Sequence, residues 1–315
     1  MGNKSWIQQY IEEELASRVL EIRDPIADCK AVDGKIRFNR PKTEIVEELK
    51  KTRQEFRTLE AMISLSPRLC PANTGGNSCV PQEFIEKNLD HLYAVLLFQH
   101  DTYSTLSRVG DYEQNLDIAI FASHHILNTL LTMAYLSSKD KRYVRKCDPH
   151  PWLTHEEERS NYYLQRGITN YKLNFSIQGN PAFDNLIYTV VYNLMKNATS
   201  WVTTIASPSK EGGPDNPGVV DVRFYEGKDY RYVVKDNGPG IKPDKMPTIF
   251  SGLELPRHGL GLWTSRRIAE LKGGDIVVES STGQDSFRYE TKNNTLTKIS
   301  PQPKGTTFSF ICPKY

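Results

Sequence analysis

Apolar side chains recur along this chain with two rhythms, and the change falls near residue 170. Upstream the spacing is three and four, the mark of helices that bury one stripe. A helix opening at Pro41 and Thr43, with Thr43 as N-cap, is expected to run to about residue 65. Its positions Ile45, Leu49, Thr52, Phe56, Leu59 and Ile63 form a heptad seam, which suits either a two-helix contact within the chain or a dimer seam. A loop rich in Pro, Gly and Asn over 67–81 precedes expected helices over 82–108 and 113–138. A shorter helix over 154–165 has Thr154 as N-cap and Glu157 completing a capping box. Helices joined by short loops predict an antiparallel bundle. Ahead of these, residues 1–41 read as an adaptor segment: a short helix over 6–20, then turns and a short strand in DPIADCKAVDGKIRF.

Downstream, alternation takes over. YKLNFSIQG reads as a strand, followed by DNLIYTVVYNLMKNATS, where Leu186, Val190, Leu194 and Ala198 sit at helical spacing. Strands are expected over 219–225 and 230–235, joined by a hairpin turn at Glu226-Gly227-Lys228-Asp229. A helix over 262–271, the strand DIVVES, a polar insertion over 281–303 and a last strand over 306–312 complete the pattern. Helices on one face of a mixed sheet make an α+β sandwich. The expected organisation is therefore 1–41, a helical domain over 42–168, and the sandwich over 169–315, with the boundary at Gly167 to Tyr171.

Composition narrows the class. At 315 residues, 38% hydrophobic and 25% charged, the chain suits two globular domains with real cores. A net charge of +2 makes no electrostatic case for a nucleic-acid partner. The N-terminus lacks the apolar core of a signal peptide, and Trp6 stands where a myristoylation pattern needs Ser or Thr. No apolar run is read as approaching the ~20 residues of a bilayer span, so a cytoplasmic protein without a membrane span is expected. Five scattered cysteines fit reduced thiols, and Cys147, His150 and His155 match no standard zinc spacing.

Candidate chemistry lies in four short elements. Asn193 and Asn197 are four residues apart, so they share a helix face. In VVKDNGPGI, Asp236 precedes Gly238 and Gly240; the carboxylate can accept a hydrogen bond from an amino group such as adenine's, and glycines let the backbone turn with positive φ. HGLGL puts Gly259 and Gly261 ahead of a helix whose N-terminal N–H groups suit phosphate, with Arg257 and His258 placed for charge-assisted contacts. GTTFSF carries Thr306 and Thr307.

In this order the four elements resemble the N, G1, G2 and G3 boxes of the GHKL superfamily of Bergerat-type ATP-binding domains, most closely its histidine kinase branch. The resemblance covers about half the chain, from residue 171 onward. It implies Mg·ATP held by Asn193, Asn197, Asp236, Gly238, Gly240, Arg257, His258, Gly259, Leu260, Gly261, Leu262, Thr306 and Thr307, with Asn197 as the Mg²⁺ ligand. The short lid over 250–259 suits the kinase branch. Hydrolytic members carry a glutamate base at the place of Asn193, and an amide cannot take that proton. An imidazole nucleophile already has a lone pair, so Asn193 argues for phosphotransfer.

Upstream, SHHILNTLL resembles the H-box, with His124 at the acceptor position and Asn128 and Leu130 at its Asn/Thr and Leu positions. His125 replaces the acid, Leu127 the basic residue and Thr129 the proline, and the interval to Asn193 is short. The expected function is an ATP-dependent histidine autokinase. It would phosphorylate His124 with His125 as the assisting base, pass the phosphate to a response-regulator receiver protein, and dimerise through the helical domain. A GHKL serine kinase with a helical docking domain, or a non-catalytic ATP-dependent switch, are the alternatives.

Overall fold

The computed structural model describes residues 16–32, 35–64, 116–167, 169–205, 217–251 and 260–314. Contacts divide the chain into two compact units: Met1–Lys30 with Ile36–Cys147 and Asp184–Leu186, and Ala31–Lys35 with Asp148–Phe183 and Ile187–Tyr315. The expected loop over 67–81 and helix over 82–108 lie outside the described residues.

The first unit is helical. Helix α1 (Ala16–Glu21) leads to a 3-10 turn (Pro25–Asp28), and strands β1 (Cys29–Val32) and β2 (Lys35–Phe38) pair as a two-stranded sheet. Helix α2 (Lys42–Ser64) begins earlier than expected: the Pro41 carbonyl accepts from the amides of Glu44 (3.1 Å) and Ile45 (3.3 Å), so Pro41, not Thr43, holds the cap position. Ile45, Leu49, Thr52 and Phe56 are all buried. Phe56 packs with Val19, Ile22, Ile126, Leu130 and Met133, so the described part of the seam is spent inside the chain, not on a second copy.

Helix α3 (Leu116–Ser138) is apolar all round and buried from Ala119 to Ala134. Ile118–Leu136 has the length and hydropathy of a membrane span, which corrects the expectation that no run approaches one; 89% of that window is buried inside the protein. Among the described residues the helical unit consists of α1, α2 and α3. A complete bundle is not seen in them.

In the second unit, helix α4 spans Pro149–Gln165 and starts well before Thr154. Asp148 is its N-cap, accepting from the His150 amide at 3.0 Å, and Pro149 takes the first turn, where a missing N–H costs nothing. Thr154 is buried inside the helix, so the expected Thr154–Glu157 capping box does not form. Trp152 packs on Tyr188 (centroids 4.6 Å apart) and Phe183 (6.3 Å). Ser160 Oγ accepts from the Leu173 amide at 3.1 Å. The helix therefore belongs with the sheet, and the boundary falls near Cys147–Asp148 rather than at 167–171.

The remaining elements are β3 (Tyr171–Gln178), α5 (Asn185–Ile205), β4 (Gly218–Glu226), β5 (Asp229–Asp236), α6 (Leu260–Leu271), β6 (Asp275–Ser281), β7 (Ser286–Glu290), β8 (Thr295–Ile299) and β9 (Gly305–Pro313). The sheet order is β3-β4-β5-β9-β6-β7-β8, with β3–β4 parallel and every other pair antiparallel. Val222↔Val234↔Phe308↔Val278 and Phe224↔Tyr232↔Phe310↔Ile276 are rows across it, and every member is buried. Alternate residues on the other face, such as Val233 and Ser309, stay half-exposed. The insertion over 281–303 is not a plain loop: it holds β7 and β8 and widens the sheet.

Candidate functional site

Helix α5 buries Leu186, Val190, Leu194 and Ala198, the stripe its sequence pattern requires. That seating places Asn193, itself buried, toward the first turn of α6, where its Nδ2 donates to the Gly261 carbonyl at 3.1 Å. The contact is close: a Cβ on Gly261 would sit 3.1 Å from Asn193 Oδ1, tighter than most side chains accept. Ser265 Oγ donates to the same carbonyl at 2.8 Å. Asn197, one turn further along α5, is half-buried. Leu262 is half-buried on α6, and Gly261 and Leu260 begin that helix, two residues earlier than the sequence suggests. The first N–H groups of such a helix have no intrahelical acceptor, and a helix N-terminus suits an anion. Arg257, His258 and Gly259 lie outside the described residues.

Asp236 ends β5 directly opposite Thr306 of β9. Its Oδ1 accepts from the amides of Gly238 (2.8 Å) and Thr306 (3.3 Å), while Oδ2 takes neither bond. Burial pushes its carboxyl up to about 6, against the pull of those two amides. Gly238 folds over the carboxylate, where a Cβ would lie 2.6 Å from Oδ1. Gly240 has φ +78°, and a Cβ there would collide with the Ser281 carbonyl. Gly240 is thus required by the local backbone, and Gly238 by its close approach to the Asp236 carboxylate.

Thr306 and Thr307 part company. Thr306 is buried beside Asp236, and its hydroxyl lies 3.0 Å from Ser280 Oγ. Thr307 pairs with Lys235 and Glu279 and faces the open side of the sheet, in a shallow groove lined by Val233, Glu279, Arg288 and Ser309. A strand turns successive side chains to opposite faces, so Thr307 is not brought to Asp236, contrary to the expectation.

Two further residues escaped sequence reasoning. Ser280 Oγ accepts from the Ile241 amide (2.7 Å) and donates to the Gly305 carbonyl (3.1 Å), joining the Gly238–Gly240 loop to β9. Trp201, on α5 one turn past Asn197, is 57% exposed, and its Cβ lies 3.8 Å from where a Gly238 Cβ would be. Exposed indole next to a glycine loop was the only signal, and it needs the fold to be seen.

His124 is 1% exposed on α3. Its Nδ1 lies 2.9 and 3.1 Å from the two oxygens of Asp24. A carboxylate only accepts, so Nδ1 carries a hydrogen toward Asp24. Asn128 Nδ2 donates to the His124 carbonyl at 2.8 Å and lies close to both ring nitrogens, 3.1 Å from Nδ1 and 3.0 Å from Nε2. Both ring nitrogens therefore have partners. His125, also buried, is no solvent-facing base in this arrangement.

Residues 184–315 match the family model described as histidine kinase-, DNA gyrase B-, and HSP90-like ATPase. The chain is 31% identical over 126 residues to sensor protein ChvG of Rhizobium meliloti, covering 37% of this chain and 19% of that protein. It is 32% identical over 107 residues to the aerobic respiration control sensor protein ArcB of Escherichia coli, covering 31% and 12%. The chain thus spans a fifth or less of the length of these relatives. Among solved structures, the catalytic domain of histidine kinase ThkA aligns at 19% identity with a TM-score of 0.37, over 54% of this chain and 95% of that one. With the buried Asp236, its glycine loop and the Asn-bearing helix in one unit, residues 184–315 belong to the GHKL family of ATPase domains, with sensor histidine kinases among their relatives.

Proposed function

We propose that the sandwich binds Mg·ATP and that the chain uses it to phosphorylate one of its own histidines. The observation that carries the nucleotide half is Asp236: a buried carboxyl with Oδ1 satisfied by two amides and Oδ2 left for a donor. An adenine amino group fits that oxygen, whereas phosphate would repel it. Trp201 supplies an aromatic platform for the base at the mouth of the loop. Asn197 would hold magnesium, which when bound supplies positive charge against the triphosphate. The N-terminus of α6 would meet phosphate, with Arg257 and His258 adding charge. Asn193 leaves no carboxylate base for water, so transfer to a nitrogen nucleophile is favoured over hydrolysis.

His124 is the acceptor in the first reading, with an aspartate of a response-regulator receiver as the next recipient and a homodimer as the working form. The burial of His124 favours a second reading. In FQHDTYSTL, His100 is followed directly by Asp101 and, at the closing position, by Leu106, so this segment keeps the acid that His125 replaces. It lies outside the described residues.

Incubation with γ-labelled ATP tests both. Base-stable, acid-labile label that disappears in Asp236→Asn supports the kinase reading; loss in His124→Gln or in His100→Gln identifies the acceptor. Acid-stable label points instead to a serine kinase. ATP binding without any label points to a switch protein.

A further inference from the structure

Segment 16–28 is held on the helical unit by four kinds of contact. Val19 and Ile22 enter the same apolar cluster as Ala122, Ile126 and Leu127. Arg145 donates through Nη1 to the Ile22 carbonyl (2.9 Å) and through Nη2 to that of Leu20 (3.4 Å). Arg23 pairs with Glu48 at 3.3 Å. Asp24 does two things at once: Oδ1 caps its own turn by accepting from the Ile26 amide (3.1 Å), and the same carboxylate receives Nδ1 of His124. These contacts tie the described part of α1 and the turn after it to the helical unit.

We infer that segment 16–28 is a strap that closes His124, and that displacing it opens the imidazole for phosphoryl transfer. This rests on the reading of His124 as acceptor. With the strap seated, the ring is covered, Nδ1 is held by Asp24, and Asn128 Nδ2 stands within 3.1 Å of both ring nitrogens. With it displaced, Nε2 can form an N–P bond as the bond from the γ-phosphorus to the bridging oxygen breaks. ADP leaves with that electron pair, and the Nδ1 proton passes to water. Whatever signal pulls on the N-terminal segment would then set the rate, because opening of a weakly held segment is governed by its local stability.

Carbethoxylation by diethyl pyrocarbonate, followed residue by residue by mass spectrometry, reads the strap without any kinase activity. His150, whose side chain is 54% exposed, is the internal reference. In the wild type, His124 is expected to react at least roughly tenfold more slowly than His150, as a closed segment with a small open population requires. In Asp24→Asn combined with Arg145→Gln, the two rates should converge and labelling from ATP should rise in parallel. Arg23→Gln alone, which removes the pair with Glu48, gives a milder version should the double variant fail to fold. A wild-type His124 as reactive as His150, or one equally protected in the folded variants, overturns the strap. Exposure of His124 to the reagent without any gain of phosphate leaves the strap standing and removes His124 as acceptor.

Discussion

At Asp236, burial and hydrogen bonding pull in opposite directions, and burial wins: the carboxyl is raised to about 6. Because the folded value lies above the unfolded one, the native state holds a proton that the unfolded chain has lost between pH ~4 and ~6. Stability from this group is therefore full below that window and declines as pH rises through it. Nucleotide affinity should run the other way, since adenine needs the ionised form. Calorimetry should find ATP binding weakened by about tenfold one pH unit below the Asp236 value, and no such step in Asp236→Asn. That variant should also bind roughly 10- to 150-fold more weakly at neutral pH, the worth of a charged hydrogen bond. Gly240→Ala forces a side chain into a left-handed backbone and against the Ser281 carbonyl. It should cost about 1–3 kcal/mol in denaturant melts, and an unchanged midpoint would argue against the loop geometry.

Among the elements, α4 owes its start to Asp148, not to the Thr154 that its sequence suggests. Asp148→Ala should lower stability by about 1 kcal/mol, whereas a merely solvated aspartate would leave the melting curve where it is. Pro149 and Pro151 look like helix breakers, yet in the first turn their missing N–H groups have no partner to lose. The polar stretch over 281–303 was opaque for a different reason: β8 is an edge strand with no buried side chain, so no apolar alternation marks it. Thr307 shows how one residue of register decides a site. GTTFSF marks the strand, but only its pairing with β5 tells which threonine faces Asp236.

At the scale of the molecule, the sandwich includes α4, because Trp152 is packed between Tyr188 and Phe183. A fragment over 148–315 should fold cooperatively and bind ATP with the affinity of the full chain. A fragment over 169–315, cut at the boundary that the change in apolar rhythm suggests, loses Trp152 and Leu153, both 1% exposed or less. Its stability should fall by several kcal/mol, in line with removing large core side chains. Equal melting temperatures for the two fragments would return the boundary to residue 168.

What the sequence by itself determined is local: the heptad spacing of Ile45 to Phe56, the stripe of α5, the four-residue step from Asn193 to Asn197, and Asp236 with its two glycines. Each rests on spacing within one element, which periodicity and backbone sterics read directly. What only the tertiary structure decided is where distant residues meet. Ser280 under the glycine loop, Trp201 beside Gly238, the parity of Thr306 and Thr307, and Asp24 on His124 all pair positions far apart in sequence. No local rhythm encodes such contacts, because they are chosen by which faces the whole core must bury. That is why His124 resembles an exposed acceptor in sequence and stands closed under Asp24 in the fold.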